Sequence, residues 1–160
     1  MKLQVIAAGR LKPGPEKSLA EDYLTRAQGL GRKCGISRIA VTEFNESQAS
    51  SAAARMAEEG RVIAATLPPR CFTVVLDERG KALASEAFAD LLRRHLDGGT
   101  PDMAFLIGGP DGHAPELRDN AGLTMSFGPM TWPHRLVRVM LFEQLYRAVT
   151  IIAGHPYHRV

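Results

Sequence analysis

The sequence has few cysteines and no long apolar run. Cys34 and Cys71 are its two cysteines, and their separation fits neither a zinc site nor a redox motif. The His155-x-x-His158 spacing lacks a cluster of further ligands, so no metal site is predicted. Free thiols of this kind favour a protein of the reducing cytoplasm. The first apolar stretch is too short for a signal peptide, and no segment approaches the length of a membrane span.

Two common nucleotide-binding fingerprints are also absent. No G-x-G-x-x-G follows the first apolar run, which disfavours a nucleotide-binding oxidoreductase. The turn Gly108-Gly109-Pro110-Asp111-Gly112 is not followed by Gly-Lys-Ser/Thr and is therefore not a phosphate-binding P-loop. Its glycines suit close approach of a ligand to the main chain, but they also suit a tight turn with no further role. The residues alone leave both interpretations open.

The composition is that of an ordinary globular domain with a mild basic excess. With 160 residues, 45% hydrophobic and 23% charged, the chain is long enough for one domain with its own core. The net charge of +3 permits a nucleic-acid partner without requiring one. The excess is concentrated after Thr131, where one acid, Glu143, accompanies Arg135, Arg138, Arg147, Arg159, His134, His155 and His158.

Apolar runs bounded by glycine, proline and polar residues predict five strands separated by helices. The predicted strands are 3–8, 38–44, 71–77, 103–107 and 123–127, with a turn at 78–81. The predicted helices are 16–28, 50–67, 85–96 with Ser85 as its cap, a short one from Pro115 to Gly122, and 136–152. This alternation predicts a single α/β domain with a mostly parallel sheet covered by helices on both faces.

Three consecutive strand ends carry glycine or polar turns. They are Asp77, Gly108-Gly109 and Phe127-Gly128. In open parallel sheets, ligands bind beyond the carboxyl ends of the strands. The three turns are therefore predicted to form one shared site.

Arg138 lies on the most apolar stripe of the last predicted helix. A charge there must be paired or must contact a ligand, because burying it alone is costly. His134 and Arg135 share the first turns of that helix, and this basic group favours an anionic partner such as phosphate. A structural ion pair or a snorkelling side chain is the alternative. Glu143 and Arg147, spaced i,i+4, are predicted to form a pair on the helix surface.

The C-terminal segment His155-Pro156-Tyr157-His158-Arg159 suits two interpretations. It is either a frayed, solvated terminus or a tail that stacks on bases and binds phosphate. Basic groups elsewhere are predicted to be solvated on the surface: His95, His113, Lys12, Lys17 and the Arg32-Lys33 pair.

Several of these motifs together resemble the RlmH family, ribosomal large subunit methyltransferases of the SPOUT class. The motifs are 107–112, 130–134, 136–139, 143–148 and the terminal Pro-Tyr-His-Arg at 156–159. Lys2-Leu3, Ala8-Gly9, Leu76-Asp77 and Gly80-Lys81 fit the same family, so the resemblance covers essentially the whole chain.

The resemblance implies one SPOUT domain over residues 1–160, with a C-terminal trefoil knot and a cofactor-binding knotted region at about 71–160. It also implies a cytoplasmic homodimer that uses S-adenosylmethionine. The implied reaction methylates N3 of a pseudouridine in the helix 69 loop of 23S rRNA, on assembled ribosomes. The implied cofactor-binding residues are Leu76, Gly108, Phe127, Gly128, Pro129, Met130, Thr131 and Trp132. Two rivals remain: a SPOUT enzyme acting on another RNA and a non-catalytic RNA-binding protein.

Methylation at N3 requires loss of a weakly acidic proton. A fixed cation favours the resulting imide anion, and a nearby base can take the proton. Arg138 is predicted to supply the cation, and Tyr157 and His158 are predicted to handle the proton, with His134 as a weaker candidate. His134, Arg135 and Arg159 are predicted to contact the RNA.

Overall fold

The computed structural model of the protein describes residues 1–158, in which strands and helices alternate as predicted. The strands are β1 (Lys2–Ala8), β2 (Arg38–Phe44), β3 (Phe72–Ala82), β4 (Asp102–Ile107) and β5 (Leu123–Ser126). The helices are α1 (Pro15–Gly31), α2 (Ala52–Thr66), α3 (Ser85–Asp97), α4 (Pro115–Asp119) and α5 (His134–Ile152). A short 3-10 turn, Arg32–Cys34, follows α1.

The strands form one five-stranded sheet in the order β2-β1-β4-β3-β5, and every neighbouring pair is parallel. This confirms the predicted α/β class and parallel sheet. Because the strands are parallel, the carboxyl ends of β1, β3, β4 and β5 meet at one edge, which is called the carboxyl edge below. The knot implied by the resemblance stays a prediction.

Both faces of the sheet are buried, which explains the nearly continuous apolar runs. Alternate residues of β1 divide between two cores: Leu3 and Val5 belong to the larger one, and Ile6 belongs to the smaller one. Buried side chains of α1, α3 and α5 complete the larger core. Ile63 of α2 and Leu117 of α4 pack in the smaller core. Helix α5 therefore lies against the sheet together with α1 and α3.

Strand β3 is longer than predicted, and the predicted turn at 78–81 is wrong. Leu76 pairs with Met125 of β5, and after a shift in register Lys81 pairs with the same residue. The four residues between them leave the ladder and form a bulge at the carboxyl edge. A Cβ atom on Gly80 would lie 2.6 Å from the Met125 backbone, so this return path requires glycine. The polar composition of the bulge resembles a turn, which explains the wrong prediction.

Ser85 begins α3 and does not cap it. The N-cap is Ala84, which makes no side-chain hydrogen bond to the helix. The Ser85 hydroxyl donates instead to Oε1 of Gln144 in α5, at 2.8 Å. The predicted cap is therefore a contact between two helices.

Both cysteines are free thiols, and burial raises the pKa of the Cys71 thiol to about 11. Burial also raises the pKa of Cys34. Among residues 1–158, no cluster of three or more histidine, cysteine or carboxylate side chains could hold a metal ion. Within the same range, no helix has the length and apolar character needed to cross a bilayer.

Candidate functional site

A cleft of about 750 Å³ opens at the carboxyl edge of β3, β4 and β5. Its volume is in the range typical of small-molecule and cofactor sites. Asp77, Gly108-Gly109 and Phe127-Gly128 all line it, so the three predicted turns do lie together. What they bind stays a prediction.

The glycine turn after β4 folds back on itself. The Gly112 amide donates to the Gly109 carbonyl at 3.0 Å. A Cβ atom on Gly108 would lie 2.7 Å from the Gly112 carbonyl oxygen, which is closer than real side chains approach. Glycine is therefore required by the turn itself, and the same feature leaves main-chain groups bare on the cleft wall.

Helix α2 holds the glycine turn through an ion pair. Arg55 donates from Nε and Nη2 to the two carboxylate oxygens of Asp111, at 2.6 and 3.0 Å. Its Nη1 donates to the Ala49 carbonyl at 3.0 Å. The hydrogen bond from Arg55 holds the pKa of Asp111 below its ordinary value. Sequence reasoning missed Arg55, because the partners are 56 positions apart and nothing in the local pattern links them.

His113 follows this turn and is buried in the wall of the cleft, so its predicted position on the surface is wrong. Its side chain is 4% exposed, and Nε2 donates to the Leu106 carbonyl at 3.2 Å. Burial lowers the imidazole pKa, so the ring is neutral at pH 7. His95 is not fully solvated either: it stacks on Phe72, with ring centroids 4.0 Å apart. In both cases a neighbouring element covers the ring, which the local sequence did not indicate.

The β3 bulge supplies polar groups to a second wall of the cleft. Asp77 accepts hydrogen bonds from the Arg79 amide at 3.0 Å and from Arg118 of α4 at 3.4 Å. The neighbouring Glu78 accepts from the Thr131 hydroxyl at 3.0 Å. The bulge is thus tied to α4 on one side and to the loop before α5 on the other.

The loop from β5 to α5 forms the third wall. The Ser126 hydroxyl accepts from the Gly128 amide at 3.0 Å and donates to the Gly128 carbonyl at 2.7 Å, which fixes the start of the loop. Met130 and Trp132 stand at the rim, 68% and 39% exposed. The predicted cofactor residues that line the cleft are Leu76, Gly108, Phe127, Gly128, Met130, Thr131 and Trp132, whereas Pro129 lies outside the lining.

Arg138 is paired, as its position on the apolar stripe required. The side chain is 1% exposed. Nη2 donates to the carbonyls of Ala8 and Gly9 at 2.7 and 2.5 Å, and Nη1 donates to Glu43. Arg138 therefore joins α5 to the ends of β1 and β2. It is not among the residues that line the cleft, so the structural ion pair is its observed state and a catalytic role stays a prediction.

His134 and Arg135 begin α5 beside the cleft. His134 is half-buried in the lining, with Nε2 3.8 Å from Oε1 of Glu46. Burial lowers the pKa of His134 despite this carboxylate, so the imidazole is neutral at pH 7. Arg135 is exposed. The two side chains place a neutral base and a cation at the rim.

Residues 155–158 of the C-terminal tail are folded onto α5, so of the two interpretations a frayed end does not describe them. The Tyr157 ring packs against Tyr146 at a tilt of 54°, with ring centroids 4.6 Å apart, and its hydroxyl donates to Glu143 at 3.2 Å. The Arg147 guanidinium lies 4.9 Å from the centre of the Tyr157 ring. Burial raises the pKa of Tyr157, so the phenol stays protonated. Glu143 and Arg147 do form the predicted pair, but they are half-buried beneath the tail and not on an open surface.

His158 continues this network. Its Nε2 lies 2.8 Å from Oε1 of Glu86 in α3, and its Nδ1 lies 3.4 Å from Nη1 of Arg147. Neither Tyr157 nor His158 is among the described residues that line the cleft of their own chain. Arg159, predicted to contact RNA, lies outside the described residues.

Comparison with known proteins agrees with the resemblance. The family model described as "Predicted SPOUT methyltransferase" matches residues 1–158. The chain is 55% identical to the ribosomal RNA large subunit methyltransferase H of Rhodopseudomonas palustris (strain HaA2), over 99% of both chains. It is 54% identical to the protein of the same name from Bradyrhizobium diazoefficiens, again over 99% of both.

Among solved structures, the SpoU methyltransferase AviRb from Streptomyces viridochromogenes, crystallised with the cofactor AdoMet, matches with a TM-score of 0.41 and 14% identity. That match covers 96% of this chain and 61% of the other. The family-model match and the relatives identical at more than half of all positions identify this chain as a member of the SPOUT methyltransferase family and of its RlmH group.

Proposed function

We propose that the protein transfers a methyl group from S-adenosylmethionine to N3 of a pseudouridine in the helix 69 loop of 23S rRNA, on assembled ribosomes. The observation that carries the proposal is the end-to-end identity of 55% to a protein named as an rRNA large subunit methyltransferase. The nucleotide, the atom and the ribosomal context rest on the resemblance of the motifs. The cleft supports the proposal because it offers room for a cofactor next to His134 and the exposed Arg135, which suit an RNA.

The residues of the cleft fit S-adenosylmethionine. The volume is adequate, and the walls combine apolar side chains with the glycine turn that begins at Gly108 and with loop residues 127, 128 and 130–132. Glu78 is bonded to a neutral hydroxyl and to no arginine or lysine among residues 1–158, so its carboxylate is suited to a cationic group of the cofactor. The bound cofactor supplies an activated methyl group. The chain must then hold the RNA base in line with it and remove one proton.

Among residues 1–158, His113 and His134 are the histidines that line the cleft, and His134 is the more exposed and so the better-placed proton acceptor. It lines the cleft, and its lowered pKa keeps the imidazole neutral and able to accept a proton at pH 7. Arg135, the next residue, is exposed and adds positive charge beside the imide anion. Arg138 does not line the cleft. It fixes the start of α5 through its bonds to β1 and Glu43. In this proposal His134 takes the role for which the sequence favoured the tail.

The tail acts in the cleft of a second subunit. Tyr157 and His158 lie outside the lining of their own cleft, and a homodimer offers a route for them to reach the partner's. Mixed dimers test this: one subunit carries Tyr157→Phe with His158→Gln, and the other carries a blocked cofactor cleft. Activity above that of either parent homodimer supports sharing, and activity no better than either contradicts it.

Labelled S-adenosylmethionine and ribosomes from a strain lacking this gene test the function directly. Label mapped to N3 of the helix 69 pseudouridine is the expected result. Ribosomes from the parent strain, which already carry the modification, are the matched control and should accept no label. Cofactor binding without label would direct the search to other RNAs. Absence of cofactor binding would favour a non-catalytic RNA-binding protein.

A further inference from the structure

We infer that the loop after β1 binds the phosphate backbone of the RNA substrate through Arg10 and Lys12. The inference rests on the proposed function and adds a contact surface separate from the cleft and from the C-terminal tail. This surface, residues 9–14, is called the basic loop below. Both side chains are exposed, and sequence reasoning treated Lys12 as an ordinary solvated charge.

The backbone of the basic loop is fixed, although its cations face solvent. Arg138 holds the Gly9 carbonyl at 2.5 Å, and the Leu11 amide donates to Oε1 of Glu43 at 3.2 Å. Nε of Arg10 donates to the Asn45 side chain at 3.0 Å, which orients its guanidinium. A cation held in this way loses less conformational freedom on binding than one on a mobile loop. The loop is therefore prepared for a contact outside the protein.

The basic loop borders the cleft through Glu46. A Cβ atom on Gly9 would lie 2.5 Å from Oε1 of Glu46, and the same oxygen is 3.8 Å from Nε2 of His134. His134 lines the cleft, and the exposed Arg135 follows it. The loop and the cleft rim are thus separated by one side chain. An RNA whose base enters the cleft brings its flanking phosphates to this part of the carboxyl edge.

Two of the carboxylates that border the basic loop already have a partner of their own. Glu43 pairs with Arg138, and Glu46 lies beside His134. Within residues 1–158, no carboxylate lies within 4.0 Å of a side-chain nitrogen of Arg10 or Lys12. Exposed cations without acidic partners beside an RNA site are the typical contacts of a phosphate backbone. The partner that fits is a polyanion, with no base-specific contact required.

A pair of double variants tests the inference with matched charge. R10A/K12A removes two cations at the carboxyl edge. R32A/K33A removes two exposed cations next to Gly35, whose carbonyl is held by the Met1 amino group at the opposite edge of the sheet. Methylation is measured on unmodified ribosomes over a range of salt concentrations. R10A/K12A should raise KM roughly tenfold and lower the slope of log affinity against log salt by about 1 to 2.

Further measurements distinguish a lost phosphate contact from a defect in the cofactor cleft or in the chemical step. The value of kcat and the affinity for S-adenosylmethionine should not change in R10A/K12A, and the charge-conserving R10K/K12R should restore KM. Equal KM values for R10A/K12A and R32A/K33A would overturn the inference. So would a loss confined to cofactor affinity.

Sedimentation with unmodified ribosomes in the absence of cofactor tests the same surface without methyl transfer. Wild-type protein that binds ribosomes but does not label them would overturn the proposed function. It would not contradict the inference that the basic loop binds RNA. Equal binding by the two double variants would overturn the inference alone.

Discussion

Helix α5 carries two arginines that each pair with a glutamate, and the two pairs differ in depth. Arg138 is 1% exposed, holds two carbonyl groups besides Glu43, and reaches a strand 95 positions earlier in the chain. Arg147 is 26% exposed, pairs with Glu143 one helical turn away, and covers the ring of Tyr157. The first pair joins secondary-structure elements, whereas the second holds a terminal segment.

The difference in burial determines how much each ion pair contributes to the stability of the fold. Removing one partner from a buried pair leaves an uncompensated charge and unsatisfied carbonyl groups, which is strongly destabilising. A pair that water still reaches is worth much less, and it can exchange its partners when another chain or an RNA approaches. Arg138 therefore fixes the carboxyl edge, and Arg147 holds Tyr157 against α5 through a pair that water still reaches.

The largest expected effect on stability comes from removing Arg138, the buried arginine of the two. Arg138→Ala should lower the free energy of unfolding by about 3–5 kcal/mol, because Glu43 and two carbonyls lose their donor. Arg147→Ala should lower it by about 1 kcal/mol or less. Urea unfolding of both variants measures the difference. Equal losses would show that depth does not separate the two pairs.

A compensating variant separates the structural role of Arg138 from a chemical one. R138M/E43Q removes both charges, keeps an acceptor for the Leu11 amide, and should recover much of the lost stability. If methyl transfer in R138M/E43Q recovers together with stability, the role of Arg138 is to position helix α5. Methyl transfer that stays lost in a stable protein assigns it to the chemistry, as the sequence predicted.

The second prediction extends the comparison to a buried group that is neutral. Burial lowers the pKa of His113 below its ordinary value of 6.5, so the unfolded chain binds the proton more readily than the native protein does. The stability that His113 contributes is complete above about pH 6.5 and is lost as the pH falls below it. His113→Gln should flatten the fall in unfolding free energy between about pH 7 and pH 5, by at most about 1.4 kcal/mol per pH unit. Identical slopes in urea titrations would contradict the burial argument.

The third prediction concerns the half-buried pair, Glu143 and Arg147. Tyr157→Phe removes the hydroxyl that donates a hydrogen bond to Glu143. It keeps the aromatic ring that packs against Tyr146. The free energy of unfolding should fall by about 1 kcal/mol or less. A much larger loss of methyl transfer is expected if the tail acts in a second subunit. Activity that falls only in step with stability would restrict Tyr157 to holding the tail.

The smallest expected effect concerns the pair at the cleft. Arg55→Ala frees Asp111 and loosens the glycine turn, so affinity for S-adenosylmethionine should fall up to about fivefold. Arg61→Ala, an exposed arginine on the same helix, is the matched control and should bind as the wild type does. Isothermal titration measures both. Equal affinities for the two variants would mean that the turn keeps its shape without Arg55.

Local sequence pattern predicted the sheet and the position of the cleft well. The apolar runs marked the strands because both faces of the sheet are buried, and the glycine and polar turns marked the strand ends that line the cleft. The apolar stripe around Arg138 predicted that this charge needs a partner. Each of these signals is carried by residues adjacent in the chain or on one helix face.

Contacts between distant segments were not predictable in the same way. Glu43 and Arg55 could not be matched with Arg138 and Asp111 because no local pattern encodes pairs separated by 95 and 56 positions. His113 was misplaced because its ring is buried against the Leu106 carbonyl of β4, a contact that the local pattern does not indicate. The bulge of β3 has the composition of a turn and is held in the sheet only by its pairing with β5.

The raised pKa values of Cys34 and Cys71 have a practical consequence for studies in solution. At neutral pH both thiols are almost entirely protonated, and the thiolate is the form that reacts with maleimides and iodoacetamides. The two native thiols are therefore expected to react more slowly than an exposed thiol of ordinary pKa. A single cysteine introduced at Met130, 68% exposed at the rim of the cleft, would carry a fluorophore selectively and report occupancy in real time.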